Sequence, residues 1–585
     1  MSKFNRALGN CGRIAIFTAF AALFFSPNLA QEQNSSIADH LPPNTWFYQH
    51  WRGMNSLVTA QKTNHLLELW ADPDFAPVRR ALVQQLYSSA TKDTKKKAPT
   101  EQEFSAVLSL LENPLTIGFA GNLAAAKASP EGTRSAPSPG FFLAYDAKGK
   151  EAIVQLLLVL SQANSKEEPA VSSYSFGSTK VEKLPGANGD SYRAWSGTHF
   201  LMSDQKEIIE DLITRFRSRE RSAASLAQRK EYQEIHPQIG PDAALEWFAR
   251  IPDLSKLGPS KPGDKNFADF AQRLHLEQIH VMGGGVSFSG KATRLRGALL
   301  GDTSPGSLFD IFGPSGAAFA TQPLASGGPL FSISRLDFAA LYTTVRQAVV
   351  VSLNDTQAAN FTSFESLAER FLGMPVADAL KLFTGEFASV TSFSPDGTTL
   401  QLHAATIQES EEVLRVLRAV LGPMIANEDQ AGSVDYLDLA VPYRDPQTQG
   451  QRRKFYYVAV TPEMIVVAPR KEMVREAVAQ LQSKLVSTSG ATSATPPTFA
   501  AMRSLVPAKL SGLGYGDLTQ VPWDKLISAY TDEAAARAQK SGQPDQSSAD
   551  WLKELNPAVF SRYLHSSVSG WWKDSHGVYF DSYVQ

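Results

Sequence analysis

The alternation of apolar and polar positions gives this chain a plan that recurs along it. The stretch LPPNTWFYQHWRGMNSLVTAQKTNHLLELWADPDFAPVRRALVQQL, Leu41 to Leu86, runs from a short aromatic strand into amphipathic helix. Thr45 to Trp51 predicts the strand. Period-two alternation sets Trp46 and Tyr48 on one face and Phe47 and Gln49 on the other, and such aromatics suit a pleated, half-buried surface. A helix capped by Asn55 or Ser56 should follow, because a short side-chain oxygen accepts from the free N–H groups of a first turn. Leu57, Ala60 and Leu67 keep helical spacing there. Asp72-Pro73 marks a second start, with Phe75, Val78, Leu82 and Leu86 as its apolar stripe.

Further along, strands are predicted at Leu115–Ala120 and Phe141–Tyr145, a hairpin at Tyr192–Met202, and a helix after Ser203. The charged, helix-prone segment Arg215–His236 reads as a connector between halves. Leu274–Val281 and Thr293–Leu300 read as paired strands around a Gly-rich turn. The strand-to-helix opening returns at Ala244–Ile251, at Leu330–Ser334 and again at LSGLGYGDLTQVPWDKLI. Gly385–Phe393 and Leu400–Ala404 predict strands and Ser410–Leu421 a helix. A hairpin at Phe455–Val460 and Met464–Ala468 leads into a helix ending near Leu481, and Ser566–Ser582 closes the chain as a hairpin turning at Asp574–Gly577. FFLAYDAKGKEAIVQLLLVL resembles LQLHAATIQESEEVLRVLRAVL, and YRAWSGTHFLMSDQKEIIEDLITRF resembles FYYVAVTPEMIVVAPRKEMVREAVAQL. Two strands, a helix, a hairpin and a helix thus recur in one order, which predicts an internal duplication at domain scale.

Composition changes the picture in three ways. At 585 residues, 43% hydrophobic and 19% charged, the chain can bury more than one domain core. Its formal net charge of -2 argues against a general nucleic-acid partner, which needs a basic surface to neutralise phosphates. Lys3, Arg6 and Arg13 precede an apolar run from Ile14 to Phe25 that Ser26-Pro27 breaks, so residues 1–30 read as a secretory signal peptide. The single cysteine, Cys11, lies inside it, leaving an exported chain with no disulfide, thiolate metal site or cysteine nucleophile. No later stretch is long and apolar enough to predict a transmembrane segment.

The opening LPPNTWFYQHWRGMNSL with ADPDFAPV downstream, the element LKLFTGEFASVTSF and the late GLGYGDL resemble the bacterial family known as domain of unknown function 3352. The resemblance spans most of the chain after residue 30, through loose, structural motifs. It implies export and a modular build. It supplies no catalytic residue.

Candidate chemistry is sparse. Ser203-Asp-Gln-Lys206, Ser352-Leu-Asn354 and Lys540-Ser-Gly542 fall in the order of the three penicillin-binding elements. The third must lie on a strand, whereas Lys540 follows a helical pattern, and Ser203 and Asp204 are explained as helix caps with Glu207 completing a capping box. Gly283-Gly284-Gly285 leads into a strand pattern, not the helix N-terminus that holds phosphate, and reads as a turn or bulge. The ten histidines are scattered without metal-ligand spacing. Trp46, Tyr48, Trp51, Trp571 and Trp572 are the candidate partner or ligand surface, with Trp571 and Trp572 expected on opposite faces of a hairpin strand.

The expectation is an α+β protein, internally duplicated, with antiparallel sheets packed by amphipathic helices. Residues 31–235 form the first domain, 236–328 a connecting strand-rich segment and 329–585 a second domain related to the first. It is expected in the periplasm or at the cell surface. There it would bind an envelope protein or apolar ligand, with no cofactor, no metal and no catalytic residues assigned. A periplasmic hydrolase or cell-wall enzyme with an unrecognised site, and a carrier of lipid, are the competing classes.

Overall fold

The computed structural model describes residues 36–54, 63–81, 106, 108–121, 140–155, 171–185, 189–217, 224–240, 242–251, 274–316, 318–352, 355–444, 450–486, 497–541 and 550–585. The expected signal peptide with Cys11, and the helix expected from Asn55 or Ser56 through Leu57 and Ala60, lie outside them. So do Leu82 and Leu86.

Among the described residues, twenty strands form one continuous sheet in which every neighbouring pair is antiparallel. The first ten are β1 Thr45–Trp51, β2 Leu115–Ala120, β3 Gly140–Asp146, β4 Ser172–Phe176, β5 Thr179–Leu184, β6 Ser191–Ser196, β7 His199–Ser203, β8 Leu245–Arg250, β9 Ile279–Ser289 and β10 Ala292–Gly301. The second ten are β11 Leu330–Arg335, β12 Phe383–Phe393, β13 Thr399–Ile407, β14 Ile425–Ala431, β15 Val434–Arg444, β16 Gln451–Val460, β17 Met464–Ala468, β18 Gly512–Asp517, β19 Ser566–Lys573 and β20 Gly577–Val584. From one edge the first set runs β4-β5-β6-β7-β3-β2-β1-β8-β9-β10. It meets β20, and the second set continues β20-β19-β18-β11-β12-β13-β17-β16-β15-β14. Read from the opposite edge, the second set has the neighbour order of the first.

Helices pack on both faces of the sheet. Helix α1, His65–Ala71, follows β1; α2, Lys206–Arg217, and α3, Lys230–Ile239, belong to the first set. Helices α4, Asp355–Leu372, α5, Ser410–Leu421, α6, Lys471–Val486, α7, Pro497–Arg503, and α8, Ala558–Tyr563, belong to the second. Of these, α2, α3, α6 and α7 lie on one face, and α1 and α5 on the other. Ile208, Ile209, Leu212 and Ile213 of α2, with Tyr232, Ile235 and Ile239 of α3, close a core on β1, β3, β7, β8 and β9. Each such aliphatic side chain contributes about 1.5–3 kcal/mol by leaving water. Val474, Ala477, Val478 and Leu481 of α6 and Phe499 and Met502 of α7 do the same for the second set. Trp572 packs against both cores, so they adjoin at the junction of the sets. Among the described residues no helix is long and apolar enough to cross a membrane.

Two expectations change here. The segment Arg215–His236, expected as a connector, instead supplies the end of α2 and most of α3, and α3 lies directly on β9. The triplet Gly283-Gly284-Gly285, expected as a turn, is the middle of β9, and the hairpin turns at Gly290. Close approach requires these glycines. A Cβ on Gly283 would lie 2.9 Å from the Ile235 side chain, and one on Gly285 would lie 2.6 Å from the Ile239 carbonyl oxygen. Strands β4, β5 and β14 carry polar sequences such as IANEDQA and were not anticipated. Their ladders define them: β4 and β14 are edge strands, which bury little and need no apolar alternation, whereas β5 lies between β4 and β6 with Val181 fully buried.

The two sets are pinned at β10–β20. Asp581, 2% exposed, accepts from Arg294 Nε at 2.9 Å and Nη2 at 2.5 Å, and Arg296 stands 3.9 Å away. The Arg294 guanidinium also lies over the Tyr583 ring at 5.0 Å. A second contact crosses between the sets. Leu66, Leu69 and Phe75 pack against Leu555 and Val559, while Asp72 takes a hydrogen bond from the Tyr563 hydroxyl at 2.9 Å and an ion pair from Arg562 at 3.1 Å. Replacing Asp581 by Ala leaves two guanidinium groups facing an emptied junction, so Asp581→Ala should lower the unfolding free energy by about 3 kcal/mol. Urea unfolding followed by tryptophan fluorescence measures this. A loss below about 0.5 kcal/mol would mean that the ladder and the apolar contacts hold the sets without the pair.

Candidate functional site

The site grows from β1. Its pairing with β2 sets Thr45 against Ala120 and Phe47 against Phe119, so Trp46 is the extra residue of a β-bulge. The bulge breaks the simple alternation expected for Trp46 and Tyr48. Trp46 stacks on Phe119 at 5.4 Å, beside Phe47, whereas Tyr48 is fully buried in the first core. Beyond the bulge, Tyr48 and His50 point to the face covered by α2 and α3 and Trp51 to the other, where it packs near Trp70 of α1 and its indole N–H donates to the Leu111 carbonyl at 2.7 Å. Trp571 packs edge-on against Phe312 at 5.6 Å, and Trp572 stacks on Tyr579 at 5.5 Å. The five candidate aromatics therefore do not converge, and only Tyr48 belongs to a polar constellation.

That constellation joins β1, β2, β8 and α3. His50 pairs with Thr116 on one side and Glu246 on the other, and Tyr48 faces Gly118 and Phe248. The Tyr48 hydroxyl donates to Glu246 Oε1 at 3.1 Å, and His50 Nδ1 lies 2.8 Å from Thr116 Oγ1. From α3, Tyr232 and His236 sit four residues apart on one helix face. The Tyr232 hydroxyl is 3.0 Å from His236 Nδ1 and shares a 2.8 Å hydrogen bond with Ser36, which caps the turn Ile37–His40. The rings of Tyr48 and Tyr232 lie 6.4 Å apart, and both flank Phe248. Polar groups thus run from buried Glu246 to the half-buried His236 and Ser36.

Burial dominates the electrostatics. It pushes the Glu246 carboxyl up, against the opposing pull of Arg52 and the Tyr48 hydrogen bond. It also raises Tyr48 far above the ordinary phenol range, helped by the Glu246 charge, and raises Tyr232. His50 is pushed down to about 3 by burial and then by the Arg52 charge, and His236 is lowered by the same two causes. Both imidazoles are therefore neutral donor-acceptors near neutral pH.

The second set provides an internal comparison. In the same places in the strand order, Ile333 pairs with Ala388 and Leu513, and Phe331 pairs with Val390 and Tyr515. Phe499 of α7 packs on Phe331 and Tyr515 at 5.2 and 5.1 Å, as Tyr232 packs on Tyr48 and Phe248. Five positions that are polar in the first set, Tyr48, His50, Thr116, Tyr232 and Glu246, are thus Phe331, Ile333, Ala388, Phe499 and Leu513 in the second, all buried. The second set keeps a polar pair of its own one step along, Arg335 with the buried Glu386 at 3.6 Å, but packing at these five positions does not require the polar set. Sequence reading missed Glu246 and His50. The signal was a carboxylate within the apolar run of ALEWFARI, aligned with GLGYGD of β18.

The residues of the penicillin-binding coincidence are apart from this cluster. Ser203 is fully buried, donating to the Phe141 carbonyl at 2.8 Å and accepting from the Gln205 N–H, while Lys540 lies in the helix Trp523–Ser541. Among the described residues no group of three or more potential ligands is placed to hold a metal ion. No family model, curated protein or solved structure matches the chain.

Linkage gives the cluster a pH signature. Because the folded Glu246 pKa is raised, its stabilising share is present at low pH and is lost as pH rises through the folded value. His50 has the opposite sign. Its share is present above the ordinary histidine range and is lost as pH falls towards about 3. The double variant Tyr48→Phe/Glu246→Leu, which recreates the Phe331–Leu513 pair, should therefore be more stable than the parent at pH 8 by about 1–3 kcal/mol. The gain should shrink by pH 5. Urea midpoints at the two pH values read this, and a variant less stable at both would mean that the cluster serves packing.

Proposed function

We propose that this protein is an exported, non-enzymatic binding protein of the bacterial cell envelope, built by internal duplication, and that its first set takes a small hydrogen-bonding ligand or partner group at the polar cluster. The observation that carries the reading is the contrast at five matched positions. A buried hydrogen-bonded network has been kept where the same framework accepts Phe, Ile, Ala and Leu, and such networks generally cost stability relative to apolar packing. Neutral imidazoles, phenols and a carboxyl supply donors and acceptors in a low-dielectric setting, which suits recognition of a polar group.

The matching neighbour order of the two strand sets supports the duplication, as does the matching placement of α2 with α6 and of α3 with α7. Since β8 pairs with β1 and β9 with β8, the first repeat unit in this reading extends to Gly301 and takes in most of the segment 236–328. The leader-like residues 1–30 and the resemblance to the exported bacterial family support the envelope location.

The test is native mass spectrometry on protein purified gently from its own cell envelope, beside a Tyr48→Phe/His50→Ile/Tyr232→Phe/Glu246→Leu variant. The expected result is a discrete added mass on the parent that is missing from the folded variant. A bare parent mass, or an equal adduct on both, would reject this site.

A further inference from the structure

We propose that a basic, aromatic β-ribbon in the second set is a docking element for an anionic lipid surface. Strands β15 and β16 outrun their neighbours. On one side β14 ends its pairing with β15 at Leu439, and on the other β17 ends its pairing with β16 at Tyr457. Beyond Leu439↔Tyr456 the two strands continue alone through Ala440↔Phe455, Val441↔Lys454, Pro442↔Arg453, Tyr443↔Arg452 and Arg444↔Gln451. Five such rungs project about 17 Å from the sheet, at about 3.4 Å each.

Among the described residues the first set lacks this projection. Its matching hairpin ends at Leu184↔Ser191, one rung past Tyr192, the last β6 residue paired to β7. That is where the second set has Leu439↔Tyr456, one rung past Tyr457, so the five further rungs are particular to β15 and β16. Ala440 is buried and Val441 still packs against the core, but no core explains the rest, because every described residue from Pro442 to Arg444 and from Gly450 to Phe455 is exposed.

The chemistry of the ribbon selects its partner. Arg453 and Lys454 stand exposed between Tyr443 and Phe455, which are 42% and 49% exposed, and no carboxylate occurs among the described residues of the ribbon. Lys454 holds its ammonium 5.5 Å over the Tyr456 ring. Long cationic side chains beside exposed aromatics match the boundary of a bilayer, where phosphate groups meet acyl chains and amphipathic side chains bridge the two. The same set exposes Phe364, Leu367 and Phe371 of α4 at three- and four-residue spacing, apolar surface that a bilayer also accommodates. A nucleic acid would be matched by a basic surface of larger extent than one ribbon on a chain of net charge -2.

Vesicle flotation of the full chain tests this. Vesicles of phosphatidylglycerol and phosphatidylethanolamine in equal parts should carry the protein upward at low salt, and vesicles of phosphatidylcholine alone should not. Binding should weaken as salt rises. Arg453→Glu/Lys454→Glu, both on exposed positions, should reduce binding at least about tenfold, and Phe455→Ser should weaken it further in that background. Unchanged circular dichroism and thermal midpoint would keep a loss of binding from being a loss of fold. No flotation with the anionic vesicles, equal flotation with phosphatidylcholine, or a charge-reversed ribbon that binds like the parent would each overturn the proposal. So would binding of a DNA duplex at the same salt in place of vesicles.

Discussion

The architecture depends on the antiparallel pairing of β10 with β20. A ten-stranded sheet has two open edges, each a row of unsatisfied N–H and C=O groups. Joining the sets through β10 and β20 closes one edge of each and, among the described strands, leaves β4 and β14 at the ends. The same junction brings Trp572 and Tyr579 together between the two helix-covered cores, so burial continues across it. Asp581 fixes the register. A shift of one residue would turn its carboxylate to the other face and leave Arg294 and Arg296 without their acceptor.

With that frame shared, the differences between the two sets gain meaning. The first places phenols, imidazole, hydroxyl and carboxyl beneath α3, where the second packs Phe331, Ile333, Ala388, Phe499 and Leu513 beneath α7. The second extends β15 and β16 into solvent where the first stops its hairpin. Each elaboration runs against stability in its own way. One desolvates polar groups, and the other leaves aromatic and cationic side chains uncovered. Under the proposed duplication, two copies of one framework have taken on separate tasks.

Much of the framework was legible in the chain. The strands Thr45–Trp51, Leu115–Ala120 and Met464–Ala468, the helix Ser410–Leu421 and the turn at Asp574–Gly577 follow from apolar alternation, helical spacing and turn residues, and they stand where those signals place them. The site was less legible. Tyr48 drew attention as an aromatic among Trp46 and Trp51, but the bulge at Trp46 sends the three side chains to different surroundings. A bulge leaves almost no trace in a pattern of period two. Glu246, His50 and Thr116 come from three strands far apart in the chain, so no local spacing could relate them.

By itself, then, the sequence determined the α+β class, the places of most strands and helices, and the recurrence of one order of elements. These rest on interactions between residues near one another in the chain. Tertiary structure alone decided that the two sets share one sheet, that the Gly283–Gly285 triplet is a bed for α3, and that four polar side chains from three strands gather beneath Tyr232 of that helix. Those outcomes depend on which distant strands pair and in what register. Pairing is set by cooperative burial and ladder closure across the whole chain.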